Sequence, residues 1–259
     1  MLLSVILLSI IEGITEFLPI SSTGHLLIVS EWLPLEKSFY HVFDIVIQMG
    51  AIGAVFALYP SYFVRLCQPN RKNIKEWLCI ACAILPLLII GYLYKDFIKG
   101  SLFSPVVIYW GLLVGGIILI ICDFVIPERG TSDTKSNLSL KQALIIGCAQ
   151  CVALWPGMSR SAATIVGGLG AGLNRVTAAS FSFIIAVPVM IIVTGYDLIS
   201  ARHQFSLAEY GWTALGMVLS FGVAWVCMRW FLGFVQHKGL AWFGAYRIIV
   251  GGLGLLFLV

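Results

Sequence analysis

Charge is scarce in this 259-residue chain: Asp, Glu, Lys and Arg make up 11% of it, against roughly a quarter in soluble domains. That shortage excludes an ordinary water-soluble fold, and no segment is long or polar enough to form a separate soluble domain. The opening segment also lacks a basic n-region. Glu12 and Glu16 follow its short apolar run, so it is not expected to be a cleaved secretory leader. A polar metal knuckle is missing as well. The two pairs with CxxC spacing, Cys79/Cys82 and Cys148/Cys151, lie in apolar segments and are expected to be small packing residues on one helix face. The net charge of +4 comes from loops, and no nucleic-acid partner is expected.

What is present is apolar. Sixty per cent of residues are hydrophobic and the mean hydropathy is +0.99, which indicates an all-α, polytopic membrane protein in the lipid bilayer. Full-length spans are expected at about Val42–Tyr59, Trp77–Tyr94, Ser104–Ile126, Val176–Leu198, Tyr210–Met228 and Gly239–Val259, each near the roughly 20 residues that cross a bilayer. Glu31–His41 reads as an interfacial loop. Asp44, Asp123 and Asp197 fall near span ends and read as solvated or interfacial. Arg247 lies inside the last span, where a structural role is expected.

Two further apolar segments are broken by proline. In EGITEFLPISSTGH, Glu12 to His25, a helix carrying Glu12 and Glu16 on one face cannot continue through Pro19. Ser21 or Ser22 is then a natural N-cap for a second helix. In the second half, Pro156-Gly157 breaks an apolar segment and MSRSAAT starts another helix. Each arm is too short to cross, which suits a re-entrant hairpin.

Each half thus reads as a broken hairpin followed by three spans. The chain is expected to be one membrane domain, 1–259, with repeat one over about 1–126, a cytoplasmic loop at 127–141 and repeat two over about 142–259. Aligning Pro19 with Pro156 sets Ser22 on Ser159. Three spans per half is odd, so the repeats must be inverted: six transmembrane helices plus two re-entrant helical hairpins, with a site between the breaks. Arg65, Arg71, Lys72, Lys75, Arg129, Lys135, Lys141, Arg229 and Lys238 fall on one side. Lys37, Lys95, Lys99 and Arg202 fall on the other. The richer side is expected to be cytoplasmic, which turns the first hairpin's entrance outward.

Ionisable groups in an apolar layer are expensive and usually functional. Helix N-termini, hydroxyls, a histidine, metal-capable carboxylates and Arg160, whose planar fork matches phosphate oxygens, together suit phosphoryl transfer. The competing readings are a salt bridge from Arg160 to Glu12 or Glu16 that only locks the fold, and a transporter or flippase of a phosphorylated lipid or anion. An intramembrane protease would have no use for the arginine and two acids.

EGITEFLPISSTGH together with WPGMSRSAAT closely resembles the undecaprenyl-diphosphate phosphatase family linked to bacitracin resistance, over essentially the whole chain. The resemblance implies hydrolysis of the C55 isoprenoid diphosphate to the monophosphate. It also implies a bacterial plasma (inner) membrane, a site open to the outer, periplasmic face, and a divalent cation, Mg²⁺ or alternatively Ca²⁺. A homodimer is left open. The family's site residues fall here on Glu12, Glu16, Ser21, Ser22, Thr23, His25 and Arg160, with Ser159, Ser161 and Thr164 beside them. In that reading Arg160 and the N–H groups at Ser22–Gly24 hold the diphosphate. Glu12 and Glu16 bind the cation, or Glu16 acts as a base. Ser22 is the expected nucleophile and His25 the acid/base. Attack by His25 itself or by metal-bound water stays open.

Overall fold

A computed structural model describes the chain except for residues 69, 128–137, 201–205 and 258–259; it also leaves undescribed the side chains of residues 72, 99, 198–200, 207 and 208. Most of the loop expected at 127–141, with Arg129 and Lys135, therefore lies outside the described residues, as do Arg202, His203 and the side chains of Lys72 and Lys99. Among the described residues every regular element is helical: α1 Leu2–Thr15, α2 Ser22–Ser30, α3 Lys37–Leu58, α4 Pro60–Leu66, α5 Arg71–Leu93, α6 Lys95–Phe97 with a π-turn to Leu102, α7 Pro105–Val125, α8 Leu140–Gln150 with a 3₁₀ turn to Leu154, α9 Arg160–Gly170, α10 Arg175–Ser200, α11 Leu207–Lys238 and α12 Ala241–Phe257.

Five stretches are long and apolar enough to cross a membrane: Lys37–Leu58, Asn73–Leu93, Pro105–Val125, Arg175–Asp197 and Glu209–Lys238. They carry large exposed apolar side chains such as Tyr92, Leu93, Phe124 and Val218, a surface suited to lipid rather than water. The last expected span corresponds to α12, an apolar helix of 17 residues.

Two expected boundaries move. Lys37–His41 is the first turn of α3, not loop. α11 runs ten residues past Met228, so Arg229 and Lys238 are helical. Basic side chains suit a helix C-terminus and snorkel readily; Arg229 lies over the Trp225 ring at 4.7 Å, and Gly239, at φ 75°, ends the helix. Asp123 is not solvated either. It pairs with Arg175 at 2.9 Å and accepts from the N–H groups of Leu240 and Ala241 at the start of α12.

The short helices are wrapped by the long ones in a reciprocal way. α1 packs on α11 from the other half of the chain, and α8 packs on α5. Between them, Phe17 of the first break meets Phe183 of α10 edge-on at 5.3 Å, and Phe231 of α11 meets Phe243 of α12 at 5.2 Å. This aromatic core fixes the first break against α10.

Candidate active site

Both breaks are built alike. α1 ends at Thr15, residues 16–20 turn, and Ser21 takes φ 74°, ψ 95° before α2 begins. In the second half Ser159 takes φ 71°, ψ 120° before α9 begins. Among the described residues these are the only non-glycine residues at positive φ, a conformation costing on the order of 1–3 kcal/mol each. Each hydroxyl repairs part of that cost by capping its own helix: Ser21 Oγ accepts from Gly24 N–H at 3.4 Å, and Ser159 Oγ from Ala162 N–H at 3.2 Å. Ser21 is therefore the N-cap. Its counterpart is Ser159, and Ser22 corresponds to Arg160, one register away from the proline-based alignment. Gly157, at φ 92°, takes up one extra position in the second turn.

Glu16, at the end of α1, receives both of these first helical residues. Its Oε1 accepts from Arg160 Nη2 at 3.2 Å and its Oε2 from the Ser22 hydroxyl at 2.6 Å. Facing hairpins are expected to bring Glu12, Glu16, Ser22, His25 and Arg160 together; of these five, hydrogen bonds join Glu16, Ser22 and Arg160. Arg160 also donates to the Ser182 carbonyl at 3.1 Å and stands 5.9 Å from the Phe17 ring centre. Its Nε is buried without a partner. One turn before Glu16, Glu12 is fully buried and neither carboxylate oxygen has a partner.

The His25 ring nitrogens bond elsewhere than to Ser22. Its Nδ1 lies 2.7 Å from the Ser21 carbonyl and its Nε2 2.7 Å from the Tyr246 hydroxyl. The expected substrate-binding hydroxyls of the second motif are engaged within the protein. Ser161 donates to Leu18 O at 2.7 Å, Ser159 and Ser161 bond to one another, and Thr164 donates to Arg160 O and bonds the Ser182 hydroxyl. They tie the second break to the first and brace the backbone around Arg160. Thr23 is exposed and Gly24 buried.

Two residues of this region escape a sequence reading. Asp44 lies two turns into α3, and its Oδ1 is buried without a partner rather than solvated. Tyr40, Asp44 and Gln48, each four apart, form a polar stripe that would have marked it. Tyr246 offers no such signal. Its neighbour Arg247 is wholly buried and donates to the carbonyls of Pro19 at 3.1 Å, Gly157 at 2.8 Å, Gly111 at 3.1 Å and Leu112 at 3.3 Å. It thereby satisfies carbonyls that both breaks release. A Cβ at Gly115 would run into its guanidinium.

Among the described residues no three His, Cys, Asp or Glu side chains gather closely enough to hold a metal ion alone. The buried, unpartnered Glu12 carboxylate is nevertheless the kind of hard oxygen donor that a divalent cation takes. A hydroxyl hydrogen-bonded to a carboxylate, a guanidinium with a donor to spare and two helix N-termini can bind a phosphate and transfer it.

A family model described as bacitracin resistance protein BacA matches residues 5–253. Similar proteins include the undecaprenyl-diphosphatase of Clostridium tetani (strain Massachusetts / E88), 38% identical over 260 residues, covering 99% of this chain and 96% of the relative. That of Sulfurimonas denitrificans is 42% identical over 259 residues, covering 99% and 98%. That of Sulfurovum sp. (strain NBC37-1) is 40% identical over 253 residues, covering 96% of each.

Proposed function

Because the chain belongs to the bacitracin resistance protein BacA family, we propose that it hydrolyses undecaprenyl diphosphate to undecaprenyl phosphate and inorganic phosphate. The observation that carries this is the Glu16 carboxylate, shared between the Ser22 hydroxyl and Arg160. Arg160, with its spare Nε, and the first N–H groups of α2 hold the terminal phosphate. Ser22 Oγ attacks that phosphorus as its proton passes to Glu16. The bond to the bridging oxygen breaks and undecaprenyl phosphate leaves; water then cleaves the phosphoserine to inorganic phosphate. Glu12, with two free oxygens, suits a divalent cation, which when bound would neutralise charge on the phosphate oxygens. Glu16, with both oxygens engaged, suits the base.

The architecture proposed around this chemistry is an inverted repeat in one membrane domain, with α12 as a sixth span and α1–α2 and α8–α9 as re-entrant hairpins. The two left-handed serines and the reciprocal packing of α1 on α11 and α8 on α5 support it. The loop charges favour a plasma membrane orientation with the site open to the outer face. Transport in place of hydrolysis would leave the Ser22–Glu16 hydrogen bond without a purpose. The test is phosphate release from a polyprenyl diphosphate by the purified, detergent-solubilised protein. Binding without release would overturn the hydrolytic reading.

A further inference from the structure

His25 is held at both ends of its ring. Its Nδ1 faces the Ser21 carbonyl at 2.7 Å, and a carbonyl can only accept, so Nδ1 carries a proton; in the neutral imidazole Nε2 then presents its lone pair. In that neutral form the Tyr246 hydroxyl, 2.7 Å from Nε2, is the donor. The two rings lie parallel within 7°, centroids 5.6 Å apart. Tyr246 is not placed casually: it precedes Arg247, which grips the carbonyls of Pro19 and Gly157. α12 is seated against α7 by close glycine contacts, Gly116 on the Gly244 carbonyl and Gly251 on the Tyr109 carbonyl. The bonds that set the two breaks therefore also set the phenol against α2.

We propose that Tyr246 is a positioning residue of this site, acting through His25. An imidazole anchored only at Nδ1 can swing about its side-chain torsions, so that Nε2 points correctly only part of the time. A second hydrogen bond and a parallel ring remove that freedom, leaving a neutral imidazole with one defined basic nitrogen at the edge of the α2 N-terminus. Tyr246 is half-exposed, so the clamp lies at the open edge of the site. The proposal rests on the expectation that His25 serves as an acid/base of the reaction beside Glu16, which takes the Ser22 proton.

The test is a double-mutant cycle read as phosphate release from a polyprenyl diphosphate, with kcat and KM resolved separately. Tyr246→Phe keeps the ring and removes only the hydroxyl. It is expected to lower kcat about tenfold, the worth of one neutral hydrogen bond, with KM within about twofold and the melting temperature unchanged. Added to His25→Gln, the same substitution should change kcat by less than about twofold. An equal loss in both backgrounds, or a change in KM alone, would overturn the proposal. A second measurement does not depend on any variant folding: in the ¹⁵N-histidine-labelled wild-type protein, His25 should show a protonated Nδ1 and an unprotonated, hydrogen-bonded Nε2. A proton on Nε2 would remove the clamp. Full activity in His25→Gln would instead overturn the role of His25 itself, and the nitrogen spectrum tells that outcome from a failure of the clamp.

Discussion

Ser21 and Ser159 hold nearly the same left-handed backbone, φ 74° and 71°, in opposite halves of the chain. Each turns a broken segment into a new helix and caps that helix with its own hydroxyl. A cap and a strained φ make opposite predictions for two substitutions. Ser21→Ala loses the cap and keeps the strain, and is expected to destabilise by about 1 kcal/mol. Ser21→Gly also loses the cap but relieves the strain, so it should cost less. Thermal unfolding of both variants in detergent checks this order. A glycine variant less stable than the alanine variant would contradict it.

The two acids of α1 differ in what they touch, so they should differ in what they do. Glu12→Gln removes a buried carboxylate with no partner; it should raise the Mg²⁺ concentration needed for turnover while leaving the fold intact. Glu16→Gln removes the acceptor of the Ser22 proton and the partner of Arg160. It should lower kcat by at least about a hundredfold, in the range seen for loss of an acid–base group, with the metal dependence little changed. Titrating Mg²⁺ against residual activity in each variant checks the division of labour. The same metal requirement in wild type and Glu12→Gln would take the cation away from Glu12.

Ser22→Ala should lower kcat far more than it raises KM, because a nucleophile acts in the chemical step. Rapid quenching of the wild-type enzyme with ³²P-labelled substrate should trap phosphate on Ser22. Label found on His25 would make Ser22 a positioning group.

Proline followed by cap-forming serines made the breaks legible in the sequence: the chain turns at Leu18-Pro19 and at Trp155-Pro156, whereas α5 and α10 continue through Pro86 and Pro188. The acids were legible because Glu12 and Glu16 share a face in an apolar run. The register of the two halves was not, since the cap follows Pro19 by two residues and Pro156 by three, the extra position being Gly157 at φ 92°. The end of α11 was misread because Arg229 and Lys238 look like loop residues, whereas long basic side chains can leave an apolar helix without ending it. Nor does local spacing pair His25 with Tyr246, since they meet only through the packing of α12 beside the first break.

Orientation can be read from positions the structure describes as exposed. In a cysteine-free background, Glu36→Cys should react with an impermeant thiol reagent added outside intact cells. Lys75→Cys should react only after permeabilisation. The reverse pattern would turn the site to the cytoplasmic side.

Two arginines, Arg247 buried and Arg160 partly buried, separate structure from chemistry in this molecule. Arg247 gives its hydrogen bonds to four backbone carbonyls, with no carboxylate among those partners. Arg160 gives one to a carbonyl and one to Glu16, and keeps Nε in reserve. Lysine keeps the charge at either position and loses the fork. Arg247→Lys should therefore leave several carbonyls of the breaks unsatisfied and destabilise the fold by about 2–4 kcal/mol, at roughly 1–3 kcal/mol for each buried group left unpaired. Arg160→Lys keeps an ion pair with Glu16 but cannot hold two phosphate oxygens as charge develops in the transition state. It should lower turnover about a hundredfold, on the order of 3 kcal/mol, with the melting temperature little changed. Measuring melting temperature and phosphate release on both variants decides the matter. Near-normal release from Arg160→Lys would sink the phosphate clamp, and an activity loss that tracked its melting temperature would reduce Arg160 to a structural ion pair.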